Sequence, residues 1–337
     1  MNLPVFRCPF PGSLFIDTDA MKKWIISSVL FLALSASASA ALQGVPTGSF
    51  YFLAMAQPAE NNDTRLKKAF AKIAHAKPAF VVLNGIKAKT ESCGDELLFE
   101  RQNLFNTSEK PVILSLSEGD WVNCRNSKGD SLAIERLIRL KEIFFENAHS
   151  LGMQTLELTR QSLSNRFSNY PENAYWQKNA ILFATLHMPA ENNHYITAAG
   201  RNAEFEDRTI ANKNWLDRLF RLASRHRYKG IVLFSDGNPF FYSAPNGLNP
   251  TPRDGFYEIR QKLNALVTRY PGRVLFIHGQ GASAPAEIIW KGRLGTLGLR
   301  PDWTRIDVNP ATQTLFKAKP AFRKTSGGHP KTRPETK

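Results

Sequence analysis

The chain has 337 residues, 42% of them apolar, and a formal net charge of +15 at neutral pH. That length is ample for a core, in one large domain or two small ones. The charge serves solubility alone or favours anionic small molecules or envelope surfaces as partners, with no specific nucleic acid, and no stretch after residue 40 is long and apolar enough to span a membrane.

The N-terminal segment reads as an address. Met21, Lys22 and Lys23 precede an apolar run over 24–34 and a small-residue run over 35–41. These are the three parts of a secretory signal, predicted at 21–40 with cleavage after Ala40; an uncleaved anchor is the alternative. Residues 1–20 fit no part of it, which points to Met21 as the start. The mature chain is expected to be exported, periplasmic or secreted.

A buried strand is predicted over 48–55, followed by a helix over 64–76 with Leu66, Phe70 and Ile73 on one face. Pro78 ends it, and 79–83 reads as a second strand. A helix over 95–105, a strand over 112–116 and an amphipathic helix over 131–145 follow. After a loop-rich stretch come a strand over 180–187, a helix over 212–225, a strand over 230–234 and a helix over 256–267. Strands over 273–278 and 303–308 close the series, the last alternating as an outer or antiparallel strand does. Strands alternating with helices predict an α/β architecture with doubly covered sheets. The folded domain is expected over 41–316. From 317 onward seven Lys and Arg stand against one Glu and apolar residues run out, which predicts a basic disordered tail over 317–337.

Cys93 and Cys124 are the two cysteines beyond the presequence. In an exported chain they most simply form one disulfide; two buried thiols or a metal pair are the alternatives. No CxxC and no nearby His supports the metal. There is also no Walker-type phosphate loop, no GxSxG elbow and no HExxH.

The order of segments FVVLNGIK (80–87), ESC (91–93), VILSLSEGDWVNC (112–124), RLIRLKEIFF (136–145), LTRQS (158–162), YPENAYW (170–176), ILFATLH (181–187) and VLFIHGQ (274–280) resembles an exported bacterial branch of the calcineurin-like metallophosphoesterases. The resemblance runs over about 50–308. It implies a four-layer αββα sandwich with mixed sheets and two metal ions held on strand-end loops, where they clamp a phosphoryl group and activate water. In that branch the second strand ends in GDIK, the third in GDNEWTDC and a late strand in HGDxH. Here the corresponding positions are Gln57, Gly85, Gly119, Gln280 and Ala282, none of which supplies a carboxylate or imidazole.

Ligands in α/β folds lie beyond the carboxyl ends of strands, so a site rebuilt from other residues would draw on Glu118, Asp120, His187, Asp236 and His278. The alternative for each His is a hydrogen-bonded structural residue, and for Asp120 and Asp236 a turn or cap carboxylate. Arg160 reads as an anion ligand or a surface ion pair, and Phe240 to Tyr242 as a pocket rim or a packed loop. The leading expectation is a pseudoenzyme or binding protein with a degenerate metal centre. The alternatives are an active phosphoric ester hydrolase with a reduced or relocated site holding Mn, Fe or Zn, and a cell-envelope interaction module.

Overall fold

Strand β1 (Phe50–Ala56) shows how the layers arise. Side chains alternate across a strand, so Phe52, Ala54 and Ala56 face one core while Leu53 and Met55 face another. Both faces are buried, as the unbroken apolar run requires. The computed structural model describes residues 48–57, 63–196, 202–240, 253–280 and 286–322. The predicted presequence and the end of the predicted tail lie outside the described residues. The described residues all belong to one unit, 45–337.

The first sheet has five strands in the order β12 (Phe316–Pro320), β11 (Thr304–Val308), β1, β2 (Val81–Asn84), β3 (Val112–Ser115). β1, β2 and β3 run parallel, while β11 is antiparallel to both β1 and β12. The second sheet has seven strands: β4 (Thr159–Arg160), β5 (Ala174–Lys178), β6 (Ile181–Thr185), β7 (Gly230–Ser235), β8 (Arg273–His278), β10 (Leu294–Gly298), β9 (Ile289–Lys291). Its centre, β6 to β10, is parallel, with antiparallel strands added at both ends.

Three cores define four layers. Helices α1 (Asp63–Ile73), α2 (Asp95–Asn106) and α3 (Ala133–Phe145) cover the outer face of the first sheet through Leu66, Phe70, Leu98, Phe105 and Leu137. Helices α4 (Ala203–Arg225) and α5 (Tyr257–Arg269) cover the second through Trp215, Leu219, Ile259 and Leu263. The two sheets meet over an aromatic centre where Phe52 stacks on Phe80 at 5.1 Å and meets Phe183 and Phe234 edge-on. The expected αββα sandwich is the fold observed. No helix among the described residues is long and apolar enough to cross a membrane.

One expectation is corrected. The tail does not begin at Lys317, because Phe316 to Pro320 pair with β11 as an edge strand whose exposed Lys317 and Lys319 guard it against further pairing. The 303–308 strand is antiparallel, one of the two arrangements its alternation implied, with β12 outside it. Cys93 and Cys124 form the disulfide, with Cα atoms 5.8 Å apart, joining the loop after β2 to the loop after β3.

Candidate functional site

The carboxyl ends of β1, β2, β3, β6, β7 and β8 gather into one rim. At the end of β2, Gly85 takes φ +90°, and a Cβ there would stand 2.8 Å from Ser117 Oγ and 3.1 Å from Gln57 Cγ. The position where the resembled pattern carries a bridging Asp thus has neither the backbone nor the room for that side chain. Gln57 turns its amide to donate from Nε2 to Ile86 O at 2.9 Å. The following loop is rigid: Lys87 Nζ donates to Ala88 O and Glu91 O, and Arg101 donates to Glu91 and Asp63.

At the end of β3 the chain makes a single 3-10 turn, Glu118–Asp120, capped reciprocally by Ser117 and Asp120. Asp120 points inward. Ile86 N–H and Lys87 N–H donate to its Oδ1 at 2.7 and 3.1 Å, and Ser117 N–H donates to its Oδ2 at 2.7 Å. Both oxygens therefore bind two strand-end loops to each other. Burial raises its pKa against the pull of those N–H groups.

Asp236 follows β7 and makes the second clasp. Its Oδ2 accepts from Glu118 N–H at 2.8 Å and from Ala190 N–H at 2.9 Å. Its pKa is pushed up to about 7 by burial, with the nearby Asp120 and Glu118 charges adding to the shift. Glu118 accepts from Glu191 N–H at 2.7 Å and lies 3.7 Å from Lys89 Nζ; burial and Glu191 raise its pKa. The glycine after β8 lets this packing close: a Cβ on Gly279 would stand 2.1 Å from Asn84 Oδ1 and 2.7 Å from Asp236 Oδ1.

His278 ends β8, paired in register with Ser235 beside Asp236. Asn238 Nδ2 lies 3.2 Å from its Nε2, while its Nδ1 has no partner among the described residues. Burial lowers its pKa to about 4, so the ring is neutral at ordinary pH. Gln280 accepts from Asn238 N–H at 2.7 Å and donates to Ala190 O at 3.3 Å, acting as a strut between loops. Ala282 lies outside the described residues.

Asp120, Asp236 and His278 thus share the rim. His187 does not join them. Its Nδ1 lies 2.9 Å from Glu172 Oε1, which Lys141 Nζ also reaches at 3.0 Å, and its ring packs edge-on to Trp121. Its backbone is held by Asn173 and Asn212. Burial lowers its pKa, with Glu172 opposing. Arg160 is neither an anion ligand nor a surface pair: it is buried and donates to the carbonyls of Asn147 and Pro171 at 2.6 and 2.7 Å. Phe240 packs edge-on against Phe276, and 241–242 lie outside the described residues.

Sequence reasoning passed over Glu172, Asn173, Lys141 and Arg208 as functional or structural polar groups. Glu172 and Asn173 were legible as a polar pair directly before apolar strands. Arg208 and Asn212, one turn apart on the buried side of α4, look like surface residues until Asn193 and His187 supply their partners.

The fit to a metal centre is poor on this chemistry. A two-metal site needs a bridging carboxylate and several free carboxylate or imidazole donors. Here Gln57 and Gln280 are committed to backbone groups, Gly85 and Gly119 supply nothing, and Asp120 spends both oxygens on N–H donors. Among the described residues no three His, Cys, Asp or Glu are grouped so as to hold an ion.

This arrangement defines a metallophosphoesterase-like sandwich. A solved structure described as "Structure of PhoD" is similar to it, with a TM-score of 0.52 and 12% identity over 79% of this chain and 65% of that chain. The chain thus spans somewhat less than two thirds of that protein's length. No family model matches the sequence, and no curated protein matches it.

Proposed function

We propose that this is an exported binding protein on a phosphoesterase-like fold, with the metal-dependent chemistry of such folds lost. The observation that carries the reading is Asp120, whose two oxygens are taken by the N–H groups of Ile86, Lys87 and Ser117. The carboxylate best placed to hold a cation has become the clasp that closes the loops without one. The Cys93–Cys124 bridge supports an oxidising compartment, in line with the predicted signal.

A competing reading, a phosphoric ester hydrolase with a reduced site, is favoured by one feature. Asp236 has its pKa near 7 at a strand-end rim beside a neutral His278, as a general acid or base would. The two separate in one experiment: elemental analysis of the purified protein, with phosphomonoester and phosphodiester assays in added manganese. The binding reading expects substoichiometric metal and no turnover above buffer. Stoichiometric metal, with turnover lost in Asp236→Asn, establishes the hydrolase instead.

A further inference from the structure

The loop after β10 lies against the end of β1, since Ala56 N–H donates to Arg300 O at 3.0 Å. Between this loop, α1 and β12 is a pocket of about 710 Å³. Its size falls within the range of small-molecule sites, roughly 300–1,000 Å³. One wall is apolar: Trp303, fixed by donating from Nε1 to Ala69 O at 2.8 Å and packed edge-on against Phe70, faces the pocket with Phe322.

The charged groups that line it are mostly basic: Lys72, Arg300 and Lys319, against Asp302. Asp302 is paired with Arg65 at 3.5 Å, and Lys319 with Asp307 at 2.8 Å. Lys72 lies over the Phe322 ring at 5.8 Å from its centroid. Neither Lys72 nor Arg300 has an ion pair among the described residues. Two uncompensated cations therefore border an aromatic wall, in a chain whose net charge of +15 draws anions towards it.

We propose that this pocket binds an amphiphilic anion, with a phosphate or carboxylate head on Arg300 and Lys72 and an apolar body against Trp303 and Phe322. The planar guanidinium fork matches two oxygens of such a head, and Lys72 adds a point charge. This site is separate from Asp120 and Asp236, and it holds whether or not the rim carries out hydrolysis.

The test is calorimetric titration of the purified protein with decyl phosphate below its micelle concentration, beside inorganic phosphate and decanol. Saturable one-to-one binding of decyl phosphate is expected, at least tenfold tighter than either control. Arg300→Gln should weaken it at least tenfold, and so should Lys72→Gln, which lies on the exposed face of α1 and serves if the first variant does not fold. Lys291→Gln, on another edge, should bind as the parent does. The proposal is overturned if binding is not saturable, if either control binds within tenfold of decyl phosphate, or if the folded Arg300 or Lys72 variant loses less than tenfold.

Discussion

Asp236 concentrates the electrostatic cost of the rim. Its carboxyl, ordinarily near 3.8, is held at about 7 by burial, so the fold prefers its protonated form. Its stabilising contribution is full below about pH 3.8 and is lost as pH rises through about 7. His278 works in the opposite sense. Its pKa falls from 6.5 to about 4, so its contribution is full above pH 6.5 and is lost as pH falls through 4. The two slopes overlap and offset each other in mildly acid solution, which hides both in the parent protein. The difference between parent and Asp236→Asn isolates one. Asn keeps an oxygen for the Glu118 and Ala190 N–H groups and has no charge to bury. The variant should gain on the parent by about 1.4 kcal/mol per pH unit between pH 4 and 7, then level off. Urea unfolding at pH 5, 6, 7 and 8 measures this, and parallel profiles for the two proteins would refute it.

At the scale of elements, the disulfide is the cross-link that ties together the β2 and β3 loops carrying Asp120 and its donors. It closes a separation of 31 residues. Loop-closure entropy assigns it about 3–4 kcal/mol. Replacing both cysteines with Ala should lower stability by that amount in chemical denaturation, and a loss below about 1 kcal/mol would show that the rim clasps alone order these loops. The bridge was legible from two cysteines and a predicted signal. The doubly buried strands were equally legible, because β1, β2, β3, β6, β7 and β8 are unbroken apolar runs. What escaped the sequence lies where pattern and environment part. Helix α4 begins at Ala203 rather than 212 because Arg208, which reads as a surface residue, is buried on Asn193 and Glu204. Strand β10 carries two glycines, and β12 carries Lys and Pro, so neither looks like a strand until a neighbour pairs with it. In the site, Asp120, Asp236 and His278 were placed correctly at strand ends, but spacing along a chain says nothing about which way a carboxylate turns. The turn of Asp120 towards backbone N–H groups, and of His187 towards Glu172, exists only once the sheets are assembled.

For the whole molecule, the question is what holds six strand ends together. In a two-metal fold the cations do so, and removing them releases the loops. Here the same loops are joined by Asp120 between 86–87 and 117, by Asp236 between 118 and 190, and by Gln57 and Gln280 as amide struts. The partners of these side chains are backbone N–H and C=O groups on loops that follow strands buried on both faces, so the cross-links form as the fold forms. Stability should therefore be indifferent to divalent cations. A site with a dissociation constant one hundredth of the free manganese concentration would add about 2.7 kcal/mol, a shift of several degrees in the thermal midpoint. The clasped rim predicts instead that the midpoint is the same in chelator, in buffer and in millimolar manganese, to within about a degree. A rise of several degrees with manganese, reversed by chelator and absent in Asp236→Asn, would mean that the carboxylate clasps open to admit a cation.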